Sequence, residues 1–259
     1  MKVTFDSNVW RKVATPQNFL KDENSKTYFS LREAIDKKKI IPFLSETIFT
    51  LEAIDRKERK KFFKSYKPSF TSSISQENGA IQISGTFGPN LTAHKGNNEF
   101  LKEHLSDAVR LGFNIIGVPR IAGIVNSEIL EQYKYQMQGE ELEYYLEWVF
   151  KVGERIQDLK AGVYSIEQIG LKYHNGWFVG VGLAPDSEDG NIASAISEWS
   201  DGDAVAAHIA IGGNYFCTLD NAKKAGSNSI LGDKNVKILE REFNFRKVSP
   251  NELMKMINN

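Results

Sequence analysis

The chain has 259 residues, 41% hydrophobic, 25% charged and 11% aromatic, the composition expected of an ordinary soluble globular protein and not of a disordered or membrane-spanning one. Thirty-three basic residues balance thirty-three acidic ones, so no whole-molecule field draws it onto nucleic acid, and any such binding must come from a local patch. One cysteine, Cys217, and four histidines exclude an internal disulfide and a Cys/His zinc framework. The amino terminus lacks the pattern of a signal peptide, and a cytoplasmic location with no membrane partner is expected.

The length fits one large domain, or a small one carrying an insertion. The opening "MKVTFDSNVW" predicts a strand over 2–6, with Val3 and Phe5 alternating against Lys2 and Thr4 before the chain stops on Asp6. "SKTYFSLREAIDKKK" (25–39) reads as an amphipathic helix with Phe29, Ala34 and Ile35 near one face and Ser25 as its cap. "IIPF" (40–43) is a buried-type strand, and Ser45 can cap a helix running through "ETIFTLEAIDRKERKKFFKSYK". Strand, helix, strand, helix argues for a parallel sheet in an α/β layer fold.

From about residue 68 the alternation stops in a Ser, Thr, Asn and Gly-rich stretch with a hairpin-like run at "AIQIS". A helix at about 98–111, a strand at 113–118 and a long helix at 140–159 follow. "NGWFVGVG" reads as a hairpin or bend, since no Gly-Lys-Ser/Thr follows to make a phosphate loop. Two apposed helical stretches, "IASAISEW" and "DGDAVAAHIAIGG", lead to the strand "NYFCTLD", a turn "AKKAGSN" and a strand around "VKIL". "KVSPNELMKMI" closes the chain with a helix whose Pro250 follows the cap Ser249.

In an open parallel sheet, ligands gather beyond the carboxyl ends of the strands. Asp6 ends the first strand and Asp220 ends "NYFCTLD", with Thr218 two residues before it. Asp201 and Asp203 are expected at a helix start, where negative charge is tolerated. Glu52 leans inward beside Ile48 and Leu51, and Glu46 is the alternative. Taken singly, such acids are most often caps and turn residues. Gathered at one mouth, they cannot all ionise without a cation, and their oxygens suit Mg²⁺ or Mn²⁺.

Three blocks, "VTFDSNVW", "LSETIFTLEAI" and "DGDAVAAHIAIGGNYFCTLDNA", resemble the PIN-domain nucleases, metal-dependent ribonucleases that include the toxins of bacterial toxin–antitoxin pairs. The resemblance implies a three-layer α/β/α fold with a central parallel sheet. Its first part would be 1–67 and its second 190–259, with 68–189 an insertion or an extended helical region. It also implies that Asp6, Glu52, Asp201 and Asp220 form the acidic quartet that holds metal, supported by Asn8 and Thr218. Asp203 can share or exchange the role of Asp201, and Glu46 stays open beside Glu52. The implied function is a Mg²⁺ or Mn²⁺-dependent endoribonuclease, with RNA as substrate and an antitoxin protein or a second copy of the chain as candidate partner. A structure-specific DNA nuclease and a non-catalytic PIN-like binding module are the alternatives.

"DRKERKKFFKSYK" (55–67) interleaves Arg56, Lys57, Arg59, Lys60, Lys61, Lys64 and Lys67 with Phe62, Phe63 and Tyr66. That suits phosphate contact, above all by Lys60, Lys61 and Lys64, together with base stacking, or equally a solvated helix face over core aromatics. The histidines, His94, His104, His174 and His208, show no metal-ligand spacing. Cys217 reads as a small buried hydrophobe.

Overall fold

A computed structural model describes residues 1–52, 54–65, 68–77, 80–89, 99–118, 133–222 and 229–258, with backbone only for 65, 68–77, 80–89 and 99–103. The expected turn at 222–228 falls almost wholly outside these residues, as do Tyr66, Lys67 and His94.

The described strands β1 (Lys2–Phe5), β2 (Ile41–Ser45), β5 (Asn114–Ile116), β6 (Tyr215–Cys217) and β7 (Lys247–Val248) form an all-parallel sheet in the order β5-β2-β1-β6-β7. β3 (Pro68–Glu77) and β4 (Ala80–Pro89) pair separately as an antiparallel hairpin. β5 comes from within 68–189, so that segment supplies a strand of the central sheet.

Strand periodicity sorts the two faces. Val3, Phe5, Leu44, Ile115 and Cys217 pack with α1 (Trp10–Ala14), α2 (Ser25–Asp36), α4 (Glu99–Arg110) and α10 (Pro250–Asn258). Phe43, Ile116 and Phe216 face the other way, onto α5 (Glu140–Asp158), α8 (Asp189–Ala210) and α9 (Asp233–Phe243). The result is a three-layer α/β/α fold. A third apolar cluster joins Leu51, Phe62 and Phe63 to α6 (Tyr164–Leu171), α7 (Trp177–Leu183) and the first half of α8.

Several elements differ from the sequence expectation. α2 buries Tyr28 and Leu31 with Ala34 and Ile35, leaves Phe29 exposed, and makes no side-chain cap bond at its start. Ser45 accepts from the Thr47 N–H but starts only a 3₁₀ turn, Glu46–Phe49; Thr50 breaks it, and α3 begins at Arg59 and runs to Ser65. The expected strand around "VKIL" is inside α9, because Leu239 is buried among polar neighbours at helical spacing. The two stretches "IASAISEW" and "DGDAVAAHIAIGG" are one helix of 22 residues.

Glycines explain two of these differences. Gly202, in mid-helix, lets α8 touch the backbone of Gly162, since a Cβ there would come within 2.8 Å of the Gly162 Cα. "NGWFVGVG" contains α7, not a bend. A Cβ on Gly180 would lie 2.0 Å from the Gly170 carbonyl oxygen, so these glycines allow α6 and α7 to meet backbone to backbone. At the chain's end, Ser249 and Glu252 form a reciprocal capping box on α10, the Glu252 carboxylate accepting from the Ser249 N–H at 2.8 Å and the Ser249 hydroxyl from the Glu252 N–H at 3.3 Å.

Candidate active site

The sheet reverses its order at β1: β2 and β5 lie to one side, β6 and β7 to the other. The crevice beyond the carboxyl ends of β1 and β6 is therefore the topological switch point, where α/β sheets place their ligands. Asp6 and Thr218, the residues just after these two strands, sit there.

Asp6 is buried, and its carboxylate is held from three sides. Oδ1 accepts from the Ser7 N–H at 2.6 Å, and Oδ2 accepts from Asn8 Nδ2 at 2.8 Å and from the Thr218 hydroxyl at 2.5 Å. Asn8 reaches onward, its Oδ1 accepting from the Leu219 N–H at 2.9 Å. The Thr218 oxygen also accepts from the Asp220 N–H at 2.9 Å, and Asp220 Oδ1 accepts from the Ala222 N–H at 2.6 Å. Asn8 and Thr218 thus stitch the loop after β6 to the tip of β1. Asp220 belongs to that loop, three residues past the strand, not to the strand itself.

Two further acids come from other elements. Glu52 stands on a turn beyond the 3₁₀ segment, not on a helix, its N–H bonded to the Thr47 carbonyl at 3.1 Å. Asp201 lies in the middle of α8 and not at a helix start, so no helix amino terminus offsets its charge. Burial, followed by the charge of Asp6, pushes the Glu52 carboxyl up to about 7, against the pull of the Ser7 and Ser200 hydroxyls and the Arg59 guanidinium. Asp201 is raised well above the ordinary carboxylate range, first by burial, then by Asp6, Glu52, Glu198 and Asp220. Asp6 is raised as well by burial, and the hydrogen bonds from Thr218 and Ser7 oppose the rise. Four of the sequence candidates, Asp6, Glu52, Asp201 and Asp220, therefore share one electrostatic neighbourhood.

Asp203 and Glu46 lie elsewhere. Residues two apart on a helix do not share a face, and the Asp203 carboxylate turns to accept from Trp199 Nε1 at 2.9 Å. Glu46 Oε2 accepts from the Val118 N–H at 2.8 Å. Both acids act instead on Tyr145, whose phenol burial raises first and their charges raise further, and whose hydroxyl donates to the Gly117 carbonyl at 2.5 Å.

Two contributors escaped the sequence analysis in this role. Glu198, one turn before Asp201 on α8, accepts through Oε1 from the N–H groups of Ile230 at 2.7 Å and Gly162 at 3.2 Å. Arg59 is buried and braces α8, donating to the Ala193 carbonyl at 2.6 Å and the Ser197 hydroxyl at 2.9 Å. Burial lowers its pKa, and Glu52 and Asp201 work against that fall. Helical spacing from Asp201 could have suggested Glu198; Arg59 was hidden in a run of similar charges.

The basic run is divided by its environment. Phe62 and Phe63 are core residues with Trp199 and Phe178 around them, so neither ring is presented for stacking on a base. Lys60 pairs with Asp186, and with Asp189 at 3.3 Å; Lys61 pairs with Glu58 at 2.8 Å. Lys64 is exposed. His208 is packed away from the acids: its Nδ1 lies 2.8 Å from the Thr4 hydroxyl, and burial pushes its pKa down to about 3. Burial pushes the Cys217 thiol up.

Among the described residues, no group of three or more His, Cys, Asp or Glu side chains is arranged to hold a metal ion, and no helix is long and apolar enough to cross a membrane. The chain shows no significant match to known family models, to curated proteins or to solved structures.

Proposed function

We propose that the protein is a Mg²⁺ or Mn²⁺-dependent endoribonuclease of the PIN-like kind, with Asp6, Glu52, Asp201 and Asp220 as its acidic site. The observation that carries this reading is the mutual elevation of the Asp6, Glu52 and Asp201 carboxyls, drawn from three separate segments to the switch point of the sheet, with Asp220 in the loop beside them. Burying repelling acids costs stability, and a divalent cation removes that cost. The donor atoms are all hard oxygen, the class such an ion takes, and binding would have to draw the side chains together, since among the described residues they are not gathered around one point. The quoted sequence blocks around Asp6, Glu52 and Asp201 to Asp220 support the same reading by resemblance.

Asp201, Asp220, Glu52 and Asp6 would hold the ion. When bound, it would orient and acidify a water for attack and neutralise charge on a phosphodiester. The chain's own contribution is positional. Thr218 and Asn8 fix the Asp6 carboxylate and the loop carrying Asp220, and Arg59 fixes α8 and with it Asp201. An antitoxin protein or a second copy of the chain as partner is part of this proposal and rests on the resemblance alone.

A non-catalytic binding module is the second reading, favoured by the engagement of both Asp6 oxygens by protein donors. Incubating the protein with single-stranded RNA and with single-stranded and flap-containing DNA, in Mg²⁺, Mn²⁺ or EDTA, separates the readings. Metal-dependent cutting of RNA alone is expected. Cutting of DNA in preference supports the structure-specific DNA nuclease, and cutting of neither supports the binding module.

A further inference from the structure

Beside the acids lies an open cavity of about 410 Å³, lined in part by Tyr164, Gln168, Asn191, Ser194, Glu198 and Ser229. Its volume falls in the range of small-molecule sites. Glu198 joins it to the acidic crevice: three residues before Asp201 on α8, it shares a helix face with that acid. The N–H groups of Ile230 and Gly162 fix Glu198 through one oxygen, Oε1, which sets the orientation of the whole carboxylate. Asn191 is positioned by its bond to Glu188 at 2.7 Å, and Lys172 is drawn to the same Glu188 at 3.3 Å, so the cation on this wall is already neutralised.

The wall therefore sets amide, hydroxyl and carboxylate groups into a largely apolar surface that includes Ile169 and Ala195, and it is poor in uncompensated positive charge. That chemistry suits a nucleobase better than a phosphate. Carboxylates accept from exocyclic amines, Asn and Gln side chains pair with donor–acceptor edges, and in single strands those edges are unpaired and open to stacking on aromatic rings.

We propose that this cavity is a base-reading subsite, in which Glu198 accepts a hydrogen bond from an exocyclic amine, Gln168 and Asn191 read the adjoining edge, and Tyr164 offers a ring face. The proposal deepens the ribonuclease reading and rests on it: the subsite would seat a nucleoside close to the bond that is cut and so set the sequence preference.

The test uses the full chain, EDTA, and adenosine, guanosine, cytidine and uridine as probes, with binding followed by calorimetry or by NMR shifts. Free nucleosides carry no phosphate, so binding is independent of the metal and of cleavage. At least one amine-bearing nucleoside is expected to bind about fivefold or more tighter than uridine. Gln168→Ala with Asn191→Ala, both at exposed positions, should abolish the preference. Glu198→Gln, which adds a donor, should improve uridine relative to the others. Four equal affinities, no binding up to solubility limits, or a preference untouched by these variants overturns the subsite. RNA cleavage in Mn²⁺ is measured on the same preparation. Cleavage without nucleoside preference sinks only the subsite, whereas nucleoside preference without cleavage sinks only the nuclease reading.

Discussion

Replacing Glu52 by Gln in metal-free protein should stabilise it, and only at neutral or alkaline pH. The folded carboxyl titrates at about 7 against an ordinary 4.5, so the folded state holds its proton more tightly than the unfolded state does. Below about 4.5 both states are protonated and there is no penalty. As pH rises to about 7 and beyond, the folded state must ionise a buried acid beside Asp6, and stability falls. The full interval is worth at most about 3 kcal/mol. Part is returned in the variant, because Arg59 loses a compensating charge, leaving an expected net gain of about 1–2 kcal/mol at pH 8. For a chain of this size that is about 2–8 °C in melting temperature. Melting curves in EDTA at pH 5 and pH 8 read it directly. A gain of the same size at both pH values, or a loss at pH 8, refutes the argument that repelling buried carboxylates destabilise this site.

Thr218→Val removes the hydroxyl that donates to Asp6 and accepts from the Asp220 N–H, so denaturant titration should show a loss of about 1–3 kcal/mol. Asp6→Asn should cost stability in EDTA, because its amide opposes donors from Ser7, Asn8 and Thr218; melting curves showing a gain would count against that hydrogen-bond network. Gly180→Ala places a Cβ against the Gly170 carbonyl oxygen and should destabilise by about 1–3 kcal/mol by the same measurement, whereas Gly190→Ala, with open space around it, should not. In a cleavage assay, Asp201→Asn should lose at least about 100-fold, and folded Asp203→Asn should stay within about threefold, a gap that separates the residue at the crevice from the one bonded to Trp199.

Much of the central sheet was legible because its strands are short apolar runs bounded by polar residues, as at Val3 and Phe5 before Asp6. The terminal helix was legible from Ser249 and Pro250. What failed was the interpretation of small residues. Gly170, Gly180 and Gly202 mark places where helices touch, and sequence offers no way to tell a glycine needed for contact from one needed for a turn. That ambiguity hid α7 and split α8 in two, which in turn placed Asp201 and Asp203 at a helix start. Helix geometry separates the two, since residues two apart stand about 200° apart round a helix: Asp201 faces the other acids and Asp203 faces Trp199. Glu52 and Glu46 were separated in a similar way, by the break at Thr50 and the bond from Glu46 to the Val118 N–H.

The most direct test of the acidic-site account is single-turnover cleavage of a labelled single-stranded RNA by the unaltered protein and by Asp201→Asn, each in Mn²⁺ and in EDTA. The account predicts cutting by the unaltered protein in Mn²⁺ only, with Asp201→Asn folded and inactive under both conditions. Cutting that survives EDTA, or that survives Asp201→Asn at the parent rate, would contradict it.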